Sequence, residues 1–352
     1  MARLYEAAAH ALGRLDGASA YLDPERLVYM YVRKEAVLTS QIEGTHSTLS
    51  DLLEYENAVT PGTPVDDVRE VSRYVDALFY AMEEIRAGTL PLCLRLLRNV
   101  HARLMSDGRG SAQTPGEFRR SQNWVGGTRP GNAIYVPPPP HEVVPALDNL
   151  ERYLHDEFGS TPILLKAGVA HAYFETIHPF LDGNGRIGRL LITLMLVVDG
   201  ALTHPYFYIS LYFKQNRSDY YDALQRVRTH GDWESWMRFF LIGVEVVARE
   251  ATRTAEALSD LFRADRVKVE ALGRAAPSAL TVYDLMRQRI VVTASRVVEE
   301  TDLTWPTVLA ALKRLEELGI AHEVTGNKRN RLYRYSSHLD ILERETDLAQ
   351  PA

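Results

Sequence analysis

The stretch that decides the fold reads His178-Pro179-Phe180-Leu181-Asp182-Gly183-Asn184-Gly185-Arg186-Ile187-Gly188-Arg189. It gathers a titratable base, a carboxylate, a glycine-rich turn and two arginines. Apolar residues follow at once from Leu190 to Val198, and apolar residues at helical spacing precede it from Ile163 to Ile177. The polar cluster is therefore expected in a tight loop between two core helices. Pro179 disfavours the α region at His178, so the upstream helix should end there. A histidine at a helix end beside a rigid neighbour is placed to act as a base near neutral pH. Gly183 and Gly185 permit a sharp turn and a close approach to backbone N–H groups. Asn184 can take a left-handed conformation or cap the next helix. A helix starting near Gly185 would offer its free N–H groups and its dipole to an anion. Arg186 and Arg189, three apart, are expected on one helix face above that anion. Asp182 would repel a phosphate unless a cation lay between them, which points to Mg²⁺ held through a carboxylate and substrate phosphates. The loop thus implies a polyphosphate site with a base beside it.

At every fixed position this string is similar to the Fic signature, His-x-Phe-x-Asp/Glu-Gly-Asn-Gly-Arg-x-x-Arg. The resemblance implies a mainly α fold, with a Fic-type helical core and a small β-hairpin flap. It also implies transfer of AMP from ATP to a Ser, Thr or Tyr hydroxyl of a target protein, with pyrophosphate leaving. His178 would then deprotonate the target hydroxyl. Asp182 would hold Mg²⁺ on the α- and β-phosphates. Gly183, Asn184, Gly185 and Arg186 would form the anion hole, with Gly188 in the same nucleotide-binding stretch, and Arg189 would grip the γ-phosphate.

Upstream, residues 24 to 44 read as a helix, with Asp23 as N-cap, Pro24 in the first turn and Gly44 as the stop. Glu43 is oddly placed, because a carboxylate in the last turn opposes the helix dipole. The stretch Thr39-Ser40-Gln41-Ile42-Glu43-Gly44 is similar to the Fic inhibitory motif, Ser/Thr-x-x-x-Glu-Gly/Asn. That likeness implies a Glu43–Arg189 ion pair that takes Arg189 from the γ-phosphate, so ATP binds unproductively, with Thr39 and Gly44 completing the motif. Further helices are expected between Asp51 and Ala87, broken by a Thr60–Pro64 loop, and from Leu90 to Met105, ending near Gly108.

A short β-favouring run lies between Pro130-Gly131 and the four prolines Pro137 to Pro140. It reads as a small hairpin with an open edge, which can bind an extended peptide by strand addition. It resembles the Fic flap, which would place Ala133, Ile134, Tyr135 and Val136 against the target, with Ile134 and Tyr135 as clamps. Past the signature, Tyr220 and Tyr221 point about 100° apart on a helix. A similar pair in Fic relatives lies against adenine, which adds both tyrosines to the nucleotide-binding set.

A mixed-charge helix from about Val244 to Glu270 reads as a connector. Then come helices at Leu280–Ile290, Ser295–Glu300 and Trp305–Leu318, and two β-favouring runs around Gly326-Asn327, which together resemble a winged helix-turn-helix domain. The wing basics are Lys328, Arg329, Arg331 and Arg334, yet Glu316 and Glu317 follow Lys313 and Arg314 in the third helix. Such a domain on an acidic chain suits protein or DNA. The expected organisation is residues 1–88 for the helical region with the inhibitory segment, 89–250 for the catalytic core, 251–275 for the connector and 276–352 for the winged helix.

The 352 residues carry 46% apolar and 24% charged side chains, a soluble globular composition. A net charge of −6 and a pI near 6.0 argue against tight nonspecific nucleic-acid binding. One cysteine, Cys93, expected in the core, permits no disulfide within one chain and fits a cytoplasmic, reducing setting. No run reaches the roughly 18 apolar residues of a membrane span, and no signal peptide is read. The reading is an Mg²⁺-dependent, ATP-using protein adenylyltransferase restrained by Glu43. Removal of AMP, use of another nucleotide, or an ATP-sensing DNA-binding regulator stand as alternatives. Self-modification and a homodimer stay open.

Overall fold

The computed structural model describes residues 1–18, 22–57, 64–107, 112–155, 161–327 and 331–344. It is mainly α. In chain order the helices are α1 Ala2–Gly17, α2 Pro24–Ile42, α3 Leu49–Glu56, α4 Val65–Arg86, α5 Leu94–Leu104, α6 Pro140–His155, α7 Ile163–Ile177 and α8 Asn184–Val198. They continue with α9 Ser210–Gln215, α10 Arg217–His230, α11 Trp233–Glu270, α12 Ala276–Arg289, α13 Ala294–Glu300, α14 Trp305–Glu317 and α15 Ser336–Glu343. Three short strands, β1 Val291–Thr293, β2 His322–Glu323 and β3 Leu332–Arg334, form an antiparallel sheet in the order β1-β3-β2.

The chain divides into two compact units. The first comprises Met1–Gly17, Tyr31–Ser47 and Pro64–Arg249. Its centre is α7 against α8, and both helices are apolar on nearly every side, as a core helix must be. α8 buries every residue from Ile187 to Leu196. Small residues on α7 allow close packing. The Gly168 carbonyl accepts from Trp236 Nε1 of α11 at 2.8 Å, and a methyl at Gly168 would meet the Met237 Cε at 2.7 Å. α4 and α5 pack on α8, while α6 and α10 pack on α7. The mixed-charge helix expected from about Val244 begins earlier, since α11 runs unbroken for 38 residues from Trp233.

The second unit comprises Ala18–Met30, Thr48–Thr63 and Glu250–Ala352. Here α12, α13 and α14 are joined by a sheet in which Val292 pairs with Tyr333 and Glu323 also pairs with Tyr333. β1 and α15 have no counterpart in the sequence reading. Three residues of strand and eight of helix are too short for periodicity to register. Buried Tyr335 donates to Asp265 Oδ2 at 2.6 Å, and Tyr283 donates to the Phe262 carbonyl at 2.8 Å. Of the expected wing basics, Lys328 and Arg329 lie outside the described residues, as do Thr60 to Thr63 and Gly108.

Two further expectations change. The small hairpin expected for the flap is reduced to a single bridge, Val125 to Tyr135, closed by a 3-10 turn at Pro130–Asn132. Cys93 is half-buried at the N-cap of α5 rather than in the core. No helix among the described residues is long and apolar enough to cross a membrane.

Candidate active site

α7 ends where Pro179 requires, and the residue before it carries the strain. His178 caps α7 in a left-handed conformation, φ 50° and ψ 60°. For a residue with a β-carbon this costs about 1–2 kcal/mol. The surroundings hold it there. Buried Arg119 donates to the His178 carbonyl at 2.9 Å, and Asn123 Nδ2 donates to the same carbonyl at 3.2 Å and to that of Phe180 at 2.8 Å. The Arg119 backbone N–H also reaches the Pro179 carbonyl at 2.8 Å.

The turn from α7 to α8 is closed from within. Gly183 takes φ 76° as the N-cap of α8, so the left-handed position falls to glycine. Asn184 neither caps the helix nor turns left. Its side chain bonds both the N–H and the carbonyl of Phe180, at 2.8 Å each, and so ties the loop into a ring. The Phe180 ring stacks on His101 with centroids 3.7 Å apart. His101 Nδ1 accepts from the Gly116 N–H at 2.8 Å, which makes Nε2 the donor to the Asp182 carbonyl at 3.0 Å. Burial drives this histidine down to about 4, so it stays neutral and structural.

The two arginines part company. Arg189 is buried. Its Nε donates to Thr39 Oγ1 at 2.7 Å, and its Nη2 donates to Glu43 Oε1 at 2.6 Å and to the Thr39 carbonyl at 3.2 Å. Gly44, at φ 98°, ends the segment just after α2 as expected. Burial alone would weaken the Arg189 charge, but the Glu43 carboxylate outweighs it and holds the guanidinium above its ordinary value. In return, Arg189 holds Glu43 below the usual carboxylate range against the pull of burial. A methyl at Gly185 would run into Glu43 Oε1, so this glycine is what lets the carboxylate reach the start of α8.

Arg186 does not join Arg189 above an anion. Its Nη1 donates to Glu70 Oε1 of α4 at 2.7 Å and its Nη2 contacts Met105 Sδ at 3.4 Å. Three residues apart is near enough to share a helix face, but long side chains can still reach different neighbours. Gly188 also departs from its expected role. A methyl there would lie 2.6 Å from Glu175 Oε1 and 3.3 Å from the His171 ring, so its bareness serves the packing of α7.

Tyr220 is a core residue. Its hydroxyl meets His171 Nε2 at 2.9 Å and its ring stacks on Phe213 at 4.5 Å. Tyr221 is partly exposed and lies beside Arg217, 5.7 Å from its ring centre, which leaves it the better placed of the two for a base. In the flap, Tyr135 is an anchor and not a clamp. Its hydroxyl donates to the Thr176 carbonyl at 2.8 Å, and the Arg228 guanidinium sits 4.0 Å above its ring. Ile134 is 69% exposed, with Val136 and Trp124 also open to solvent, while Ala133 follows the 3-10 turn.

Asp182 is exposed, and its Oδ1 accepts from its own neighbour Gly183 N at 2.6 Å. Among the described residues no three His, Cys, Asp or Glu side chains form a metal cluster. A divalent ion at Asp182 would have to take its other ligands from phosphates and water. That donor set, one hard carboxylate with an open side, fits Mg²⁺. The residues that sequence reasoning missed are His101, Arg119, Asn123, Glu70 and Glu175. The first four act through contacts distant in sequence, and only Glu175, one turn before His178 on an apolar helix, gave a local signal.

Residues 2–83 match the model of the Fic/DOC family N-terminal region, and residues 91–196 match that of the Fic/DOC family; together these take in more than half of the chain. The proteins described as protein adenylyltransferase Fic from Drosophila melanogaster and Drosophila erecta are 33% and 34% identical over 206 residues. That stretch is 56% of this chain but 37% of each insect protein, so the chain spans well under half the length of these relatives. Among solved structures, a Fic family protein from Desulfovibrio desulfuricans shares the fold at a TM-score of 0.60 and 21% identity, covering 94% of this chain and 95% of that one. A Fic domain signaling protein from Bacteroides thetaiotaomicron aligns at a TM-score of 0.54 and 17% identity over 71% of this chain and 95% of its own. With the signature loop, both family regions and the shared fold in place, the chain belongs to the Fic family.

Proposed function

We propose that the chain is a protein adenylyltransferase, using ATP with Mg²⁺ and held down by its own N-terminal segment. One observation carries the reading. A guanidinium one turn inside the helix that opens at a glycine turn is already occupied by a carboxylate 146 positions earlier in sequence. A cation so placed suits a phosphate, and Glu43 is the anion that keeps it from one. The insect relatives are described as protein adenylyltransferases, in agreement with this.

In the proposed reaction a target hydroxyl gives its proton to His178 as its oxygen bonds to the α-phosphorus of ATP. The bond from that phosphorus to the bridging oxygen breaks, and pyrophosphate leaves with the electron pair. The protein's part is positioning and charge stabilisation more than covalent chemistry. The N–H groups at the start of α8 and Arg189, once released, stabilise the phosphate charge. Asp182 would hold Mg²⁺, which when bound supplies further charge neutralisation. Ile134, with Val136 and Trp124, offers an apolar ledge to an extended target segment.

The test is incubation with labelled ATP and Mg²⁺, followed by mass spectrometry of labelled peptides. Glu43→Gly should label itself or its targets faster than wild type. The Glu43→Gly, His178→Ala double variant should bind ATP and leave no label. Equal labelling with and without His178 would overturn the reading.

For the second unit we read a winged-helix module that binds protein rather than DNA. On α14, Trp305 and Leu309 are four apart and 50% and 40% exposed. The basic residue Lys313 farther along lies 3.9 Å from Glu317.

A further inference from the structure

Two buried polar atoms beside the signature loop have no hydrogen bond. His178 Nδ1 is buried without a partner, and so is Glu175 Oε1. The other oxygen of the same carboxyl, Oε2, lies 3.8 Å from His178 Nδ1. Buried groups left without hydrogen bonds are costly, so two of them beside the base need a reason. Gly188 supplies the room, because any side chain there would collide with the Glu175 carboxyl. Catalytic hydrogen bonds are often long before substrate binds and tighten in the reacting complex.

We propose that Glu175 is the positioning residue of His178: its carboxylate accepts a hydrogen bond from the Nδ1–H of the ring and so presents Nε2 as the unprotonated base. This rests on the adenylyl-transfer reading above. The step balances simply. Nδ1–H stays on the ring and bonds to Glu175. Nε2 receives the hydroxyl proton as the oxygen–phosphorus bond forms, and the resulting imidazolium is stabilised by the carboxylate one bond away. The arrangement follows the logic of a base oriented by a buried acid.

The charges around Glu175 come from every side. Arg189 faces it from α8, Arg228 and Tyr220 from α10, Glu43 from the end of α2, and His178 from its own helix end. Burial pushes the Glu175 carboxyl up to about 7 against the pull of both arginines. The ring of His178 is driven down to about 4 by burial and by Arg228, against Glu43. Near neutral pH the imidazole is therefore unprotonated already, and the group that titrates is Glu175. Below about 7 its carboxyl is protonated and offers the ring a donor, which would fix the proton on Nε2 and spoil the base. Above it the carboxylate accepts from Nδ1. The competing orienter is the Glu175 backbone carbonyl, which also faces the ring and receives Arg228 Nη2 at 3.0 Å.

The experiment compares Glu175→Gln and Glu175→Ala, each in the Glu43→Gly background, by two readouts. The first is the ring ¹⁵N spectrum of His178, which reports the tautomer with no substrate present. The second is the pH profile of labelling from ATP. At pH 8 the parent should carry its ring proton on Nδ1, and Glu175→Ala should lose that preference. Labelling in the parent, which lacks the Glu43 charge that helps to raise Glu175, should rise at or somewhat below pH 7. In Glu175→Gln, kcat should fall about 10–100-fold with KM for ATP nearly unchanged, and that rise should vanish. An identical tautomer in all three proteins would overturn the proposal in favour of the backbone carbonyl, as would an unchanged pH profile in Glu175→Gln. The expected tautomer shift with no labelling in any protein would sink adenylyl transfer while leaving Glu175 as the orienter of His178.

Discussion

Arg186 and Arg189 stand three residues apart on one helix, and each is paired with a glutamate far away in sequence. The two pairs nevertheless differ in kind. Glu70 comes from within the 22-residue helix α4, and both ends of its pair are sealed, with side-chain exposures of 3% and 8%. Glu43 comes just past the end of α2, and while Arg189 is 1% exposed, Glu43 is 34% exposed. A pair closed at both ends is broken only at the cost of an orphaned buried charge. A pair open at one end can trade its carboxylate for water or for another anion. The same residue type in the same signature is therefore built once as a clasp and once as a latch.

The sharpest way to break the comparison is Glu70→Ala. It leaves Arg186 buried without its carboxylate and should cost about 3–5 kcal/mol, read as a lowered midpoint in denaturant unfolding of the whole chain. The matching change at the latch, Glu43→Ala, should cost clearly less, because water reaches its end of the pair, and it should accelerate labelling from ATP. Equal stability losses for the two variants would erase the distinction.

The acid limit of the latch follows from its sign. Glu43 is held below its ordinary carboxylate value by Arg189, although burial pulls the other way. Its contribution is fully present above the unfolded carboxylate value, about 4.3, and is lost as pH falls through the folded one. The stability difference between wild type and Glu43→Gln should thus stay flat from pH 8 to about pH 5 and shrink only below that. A difference that already shrinks at pH 6 would mean the carboxylate is not held by Arg189.

How much of this was legible in the sequence depends on how local the cause is. The helix end at His178, the glycine turn and the apolar helices on either side follow from neighbours within a few residues, and each falls where the chain's own chemistry puts it. The Glu43–Arg189 contact was reachable only through resemblance, since nothing local says what a misplaced glutamate will meet. The partners of Arg186 were illegible for the same reason, as Glu70 is one carboxylate among six on α4. Tyr135 was misjudged because a β-favouring run does not say which of its alternating side chains faces inward. Asn184 was misjudged because an asparagine at a helix start has capping as its usual role, and here the loop behind it claimed both of its polar atoms.

The finest probe of the latch is Thr39. Its hydroxyl accepts from Arg189 Nε at 2.7 Å, while its backbone carbonyl accepts from Nη2 at 3.2 Å. Valine keeps the shape and the carbonyl and removes one acceptor. A hydrogen bond to a charged group is worth about 1.5–3 kcal/mol, and this one sits in a fully buried site. Its loss weakens the seat of Arg189 without removing the carboxylate that pairs with it. Thr39→Val should therefore label from ATP at a rate between wild type and Glu43→Gly, with the extra gain from Glu43→Gly nearly intact in the double variant. If Thr39→Val alone releases labelling to the full level of Glu43→Gly, the hydroxyl is the restraint and Glu43 a bystander. If it changes nothing, the hydroxyl takes no part in holding Arg189, and the difference between clasp and latch rests on the exposure of one glutamate.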